Sequence, residues 1–143
     1  MKKAFSLLEI IFVILLISIL ALFVISKVED SLEFGNKAKI KSEIALIRNA
    51  IVKKLTSNRL LNINETIKLD NASLEIENSN LFENILDFSL LSTTTQKKDS
   101  AKWIKNSSNG YKIYINKEQF LQFSFKNNTF LCESSKELCE SFE

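Results

Sequence analysis

The longest apolar stretch of the chain lies close to its N-terminal end and limits what the chain can fold into. Residues 5 to 25 read FSLLEIIFVILLISILALFVI, with Glu9 as the one charged residue. As a helix rising about 1.5 Å per residue, this run has the length of a bilayer hydrocarbon core, about 30 Å. The sequence therefore predicts a membrane-spanning helix, with Lys2 and Lys3 keeping its start in the cytoplasm.

A cleaved secretory signal and a plain membrane anchor are the alternatives for this run. A secretory signal has a shorter apolar core and a small-residue cleavage site, whereas no A-x-A pattern follows residue 25. A plain anchor stays open. Glu9 bears on the choice, because a carboxylate costs about 2.5–3.5 kcal/mol at the centre of a spanning helix and less near its end. Either the Glu9 side chain reaches the cytoplasmic edge of the membrane, or its function is to pair with a cation.

Residues 2 to 10, KKAFSLLEI, resemble the cleavage and methylation motif of type IV pilins and type II secretion pseudopilins. The resemblance implies that a prepilin peptidase cuts between Ala4 and Phe5 and that Phe5 is then N-methylated. It also implies a role in filament assembly for Glu9, whose carboxylate pairs with the Phe5 amine of a neighbouring subunit. The family usually has Gly before the cut, where this chain has Ala4.

The same resemblance implies a place and partners for the chain. It would be a single-pass protein of the bacterial inner membrane, with a cytoplasmic N-terminus and a periplasmic head, later extracted into a filament. Its partners would be other pilin or pseudopilin subunits and the filament assembly machinery. Ser18 and Ser26 stand where major pilins often carry Gly and Pro, which favours a minor pilin or pseudopilin. Type II secretion, competence (DNA uptake) and a type IV pilus all remain open.

The predicted fold is α+β and type IV pilin-like, with a long N-terminal helix packed against a small antiparallel sheet. We divide the chain into a leader (1–4), a transmembrane and assembly helix (5–26), an amphipathic continuation (27–58) and a head (59–143). The helix is predicted to run to about Ser57, with a weak point at residues 34–36. Its buried stripe follows helical spacing: Ile40, Ile44, Ile47, Ile51 and Leu55, widened by Ala45 and Val52.

The head is predicted to contain short elements. Alternating residues predict two strands at 66–69 and 73–76, and an apolar cluster predicts a short helix over 81–91. Three or four antiparallel strands are expected farther on, at 111–115, 120–125 and 129–132, with turns at 106–110 and 127–128. Four aromatic residues are expected in the core, namely Trp103, Phe123, Phe125 and Phe130.

Cys132 and Cys139 enclose six residues near the end of the sequence. Outside the cytoplasm such a pair persists as a disulfide, and the chain-entropy model gives it roughly 2.5 kcal/mol. We predict a disulfide that fixes the acidic tail to the last strand, and free thiols are the alternative. Many pilins resemble this arrangement.

The composition argues against catalysis. The chain has no His and two Gly, so it lacks the residues for a Ser-His-Asp triad, a His-ligated metal site or a glycine-rich phosphate loop. We expect no enzymatic activity, no cofactor and no metal. A membrane-anchored periplasmic enzyme or binding module is the alternative from another class.

Residues 37 to 59 carry seven cations and one acid, Glu43. Residues 65 to 87 carry six acids and one cation, Lys68. A solvated helix face, charge complementarity between stacked subunits, and DNA contact are three interpretations of this pattern. DNA has the least support, because no aromatic residues interleave the helix cations.

Overall fold

The computed structural model of the chain describes residues 7–143, with backbone alone for residues 24–32. The described chain is α+β and falls into two compact units, Met1–Gly35 and Asn36–Glu143. Its elements are α1 (Leu7–Leu60), β1 (Asn80–Leu81), β2 (Leu90–Leu91), β3 (Trp103–Ser107), β4 (Gly110–Tyr114), β5 (Phe120–Lys126), β6 (Thr129–Cys132) and α2 (Lys136–Glu140).

The described part of the first unit is helical throughout. Every side chain from Leu7 to Phe23 is exposed. Among the described residues, the structure contains no helix whose length and apolar character together would suffice to cross a membrane. The backbone of α1 continues through residues 34–36, so the predicted weak point does not interrupt the helix.

In the second unit, α1 buries one narrow stripe. Ile40, Ile44, Ile47 and Ile51 are at most 3% exposed, as their spacing predicts. The predicted widening of this stripe is wrong, because Ala45 and Val52 are both exposed. Only one face of α1 is buried in this unit, since the sheet that packs against it is small.

Helix α1 ends at Leu60, slightly beyond the predicted Ser57. Asn62 adopts a left-handed conformation with φ of 53°. Its amide donates to the carbonyl of Arg59 at 3.2 Å, and the amide of Ile63 donates to that of Asn58 at 2.8 Å. This pair of bonds is the Schellman arrangement, which satisfies carbonyls that the helix end would otherwise leave open.

Strands β3 to β6 form a four-stranded antiparallel sheet in sequential order. The strands predicted at 111–115, 120–125 and 129–132 are confirmed within a residue or so, and β3 adds the fourth. Asn127 and Asn128 have φ of 50° and 60°, the conformation that a two-residue type I′ hairpin requires. Asn tolerates this region better than most residues, which explains the turn.

The core lies between the Ile stripe of α1 and one face of this sheet. The four predicted aromatic residues are buried, and Phe82 and Tyr111 join them. The rings of Phe123 and Phe130 stack with centroids 4.9 Å apart, and Phe82 packs edge-on against Trp103 at 5.4 Å. The predicted aromatic core is therefore confirmed.

Residues 64–91 differ from the prediction. Neither 66–69 nor 73–76 forms a strand, and 81–91 is not a helix; within this segment β1 pairs with β2. Phe82 has φ of 60°, and its amide donates to the buried carboxylate of Asp70 at 3.2 Å. A helix cannot pass through a left-handed residue held in this way, so the apolar cluster folds as turns.

Candidate functional site

The described apolar run Leu7–Phe23, here called the assembly segment, contains the one predicted site residue of the first unit that the structure describes. Glu9 lies in the first turn of α1 and is exposed. A carboxylate at this position interacts favourably with the positive end of the helix dipole. Among the described residues, Glu9 makes no ion pair and no hydrogen bond.

The assembly segment also contains a hydroxyl that is already satisfied. Ser18 Oγ donates to the carbonyl oxygen of Ile14 at 2.8 Å. Because this hydroxyl already donates a hydrogen bond within its own helix, placing it in an apolar environment costs less. Within the segment, Glu9 therefore carries the costlier polar group.

Ala4 and Phe5, predicted to flank the cleavage position, lie outside the described residues, as do Lys2 and Lys3. The predicted pairing of the Glu9 carboxylate with the Phe5 amine of a neighbouring subunit stays a prediction.

The two cysteines are brought together by β6 and α2. Cys132 ends β6, and Cys139 lies within α2. Their sulfur atoms are 2.01 Å apart and their Cα atoms 6.0 Å apart, which is disulfide-bonding distance. The intervening residues lie against the sheet edge, where Glu133 accepts bonds from Ser124 Oγ at 2.6 Å and Lys126 Nζ at 2.7 Å. The bond to Lys126 and that to Ser124 lower the pKa of Glu133.

A buried polar cluster that the sequence did not predict lies beneath residues 67–74. The carboxylate of Asp70 accepts bonds from Lys105 Nζ at 2.7 Å and Tyr111 Oη at 2.8 Å. Its two oxygens also accept the amides of Ala72 and Phe82, each at 3.2 Å. Desolvation, then the charge of Asp70 and the bond to it, raise the pKa of Tyr111.

This cluster borders an open cavity of about 400 Å³. Each oxygen of Asp70 already accepts two bonds, and Lys105 Nζ also donates to the carbonyl of Ala72 at 3.0 Å. A carboxylate engaged in this way has no acceptor site left for a hydrogen bond from a bound molecule. The cluster therefore serves to hold residues 70–82 on the sheet.

Glu43, the one acid among the cations of residues 37–59 (here called the basic helix face), has a buried partner in Trp103. Trp103 Nε1 donates to Glu43 Oε2 at 2.8 Å, and Lys39 Nζ lies 3.8 Å from Glu43 Oε1. Desolvation by burial raises the pKa of Glu43, against the opposing effects of Trp103 and Lys39. This bond connects the helix to β3. Its two residues are far apart in sequence, and neither shows a local signal of the pairing.

Part of the basic helix face is covered by the acidic tail of the same chain. Arg48 Nη2 lies 2.6 Å from Glu143 Oε1, and Lys41 Nζ donates to the Glu143 carbonyl at 3.2 Å. Lys37 Nζ lies 5.4 Å from the centroid of the Phe142 ring. Cations of this face therefore serve contacts within the chain, while Lys53, Lys54 and Arg59 form no ion pair with any described residue.

Over residues 7–143, no group of three or more His, Cys, Asp or Glu side chains is arranged to hold a metal ion. Comparison of the chain with protein-family models, with curated proteins and with solved structures found no match.

Proposed function

We propose that the chain is a structural subunit, a minor pilin or pseudopilin, of a type IV pilus-like filament. The observation that carries this proposal is the assembly segment, which is apolar on all sides, exposed on all sides, and interrupted near its start by one carboxylate. Monomeric soluble proteins rarely expose contiguous apolar patches above a few hundred Å². Lipid, or a bundle of equivalent helices, would cover all sides of such a segment.

Both surroundings suit a helix of this kind. In lipid a helix satisfies its backbone groups internally, and the Ser18 hydroxyl bonds within the same helix. Residues 5–26 would hold the subunit in the inner membrane until assembly, and then pack against other subunits inside the filament. The head, residues 59–143, would stay on the periplasmic side.

The role of Glu9 is the part of this proposal that can be tested chemically. A carboxylate in an apolar surrounding is costly unless it is paired, and the amine of a processed Phe5 would be a cation that could pair with it. Pairing between subunits would set the axial register of the filament. The mature N-terminus would come from cleavage after Ala4 by a prepilin peptidase, followed by methylation.

The test compares Glu9→Gln with Glu33→Gln in the full chain, produced with a prepilin peptidase and its assembly machinery. Glu33 is an exposed acid of the same helix outside the assembly segment, so it serves as the matched control. We expect both variants to reach the membrane and to be processed to a chain that begins at methylated Phe5, as intact mass would record. We expect only Glu9→Gln to lose subunit crosslinking and sheared filaments, by at least about tenfold.

Normal filament yield from Glu9→Gln would refute charge pairing. A chain that keeps residues 1–4, with no filaments from the wild type, would instead support a membrane-anchored protein without an assembly role.

A further inference from the structure

Residues 133–143, here called the C-terminal strap, cross from the end of β6 to the surface of α1. Phe142 is 5% exposed and belongs to the hydrophobic core. Glu143 lies against Arg48 and Lys41 of the helix. Between the end of β6 and these two anchor points, the strap contains α2 and Cys139.

We propose that the Cys132–Cys139 disulfide acts as a redox latch, which keeps the C-terminal strap on α1 when closed and releases it when opened. The latch lies wholly within the second unit, Asn36–Glu143, and does not depend on filament assembly.

The internal contacts of the strap are too weak to keep it ordered by themselves. Its helix α2 has five residues, no side-chain cap at its start and no buried residue. Helices shorter than about 12–15 residues are marginal by themselves in water. The amides of Cys139, Ser141 and Phe142 bond only to carbonyls within the strap, at 2.9, 3.1 and 3.0 Å. The hold on this segment must therefore come from its contacts with the rest of the head.

Beyond Glu133 those contacts are few, and the first of them is the bond that the amide of Gln122 donates to Ser134 Oγ at 2.9 Å. Phe142 supplies one buried ring, Leu138 is half-buried, and the bonds of Glu143 lie at the surface, where ion pairs contribute little. Fixing residues 135–142 costs more conformational entropy than burial of one ring recovers. The covalent bond at Cys139 shortens the free segment to the two residues before Phe142, Glu140 and Ser141, which makes seating of the ring favourable.

Opening the latch is a thiol–disulfide exchange. A dithiol reductant supplies two electrons and two protons, its own sulfurs become a disulfide, and Cys132 and Cys139 become thiols. The strap would stay open in a reducing compartment and close in an oxidising one. Its release would free Lys37, Lys41 and Arg48 of α1 from their contacts with Phe142 and Glu143, and would uncover the core position of Phe142.

Hydrogen exchange of the full chain in detergent micelles tests the latch. On treatment with dithiothreitol, we expect the amides of Cys139, Ser141 and Phe142 to exchange at least about tenfold faster, while β4 and β5 keep their protection. Cys132→Ser/Cys139→Ser without reductant should match the reduced wild type, which controls for effects of the reagent.

A second variant separates the disulfide from the ring. Phe142→Ala with the disulfide intact should leave Cys139 more protected than reduction does. Release of the whole strap by Phe142→Ala alone would mean that the ring holds it, and would overturn the proposal. Unchanged exchange on reduction, or loss of protection in β4 and β5 together with the strap, would overturn it as well.

Discussion

The two units of the chain treat apolar and charged groups in opposite ways. In the second unit, Ile47 is fully buried and Asp70 has four hydrogen-bond donors. In the first, Ile14 is 59% exposed, and the carboxylate of Glu9 has no partner among the described residues. The second unit therefore buries these two groups and pairs the charge within the chain, whereas the assembly segment leaves both kinds of group exposed.

The largest effect is expected at the buried carboxylate of the head. Asp70→Asn removes the charge that neutralises Lys105, and breaking a buried ion pair costs roughly 3–5 kcal/mol of unfolding free energy. Urea unfolding followed by Trp103 fluorescence checks this, because Trp103 is the one Trp and is 1% exposed. The exposed Asp87→Asn is the control and should change little; equal losses from both would mean that burial of Asp70 does not matter.

A matched pair of truncations on α1 tests the contrast directly. Ile47→Ala should lower the unfolding free energy of the head by about 2–5 kcal/mol, through lost burial and a cavity. Ile14→Ala removes the same atoms from the assembly segment and should leave Trp103 unfolding unchanged. A comparable loss from Ile14→Ala would show that the two units are not independent in stability.

The smallest effect is expected at Glu43 and depends on pH. Because burial raises its pKa, the folded head holds the proton more tightly than the unfolded chain, so this residue's contribution to stability is lost as pH rises above the ordinary Glu value. Glu43→Gln keeps an oxygen for Trp103 and removes the ionisation. As the pH rises from 4.5 to 7, the unfolding free energy of Glu43→Gln should increase slightly relative to that of the wild type. A relative decrease over that range would contradict the raised pKa of Glu43.

Local patterns account for what the sequence predicted correctly. The Ile stripe, strands β4 to β6 and the turn at Asn127 and Asn128 are each encoded by neighbouring residues. The segment 64–91 was predicted wrongly because its conformation depends on Asp70, whose partners Lys105 and Tyr111 lie 35 and 41 residues away. At the candidate site, Glu9 and the cysteines stood out by position. The Glu43–Trp103 bond did not, since alternation and spacing carry no information about such distant pairs.

The sequential order of β3 to β6 bears on how fast the head can form. Each strand pairs with the next along the chain, so closing the sheet requires only short loops and little loss of loop entropy. Attaching that sheet to the helix is different, because the bond from Trp103 to Glu43 spans 60 residues. Folding speed falls as contacts become more distant in sequence. We therefore expect the β3–β6 meander to form early and to dock onto α1 later, with docking as the slow step.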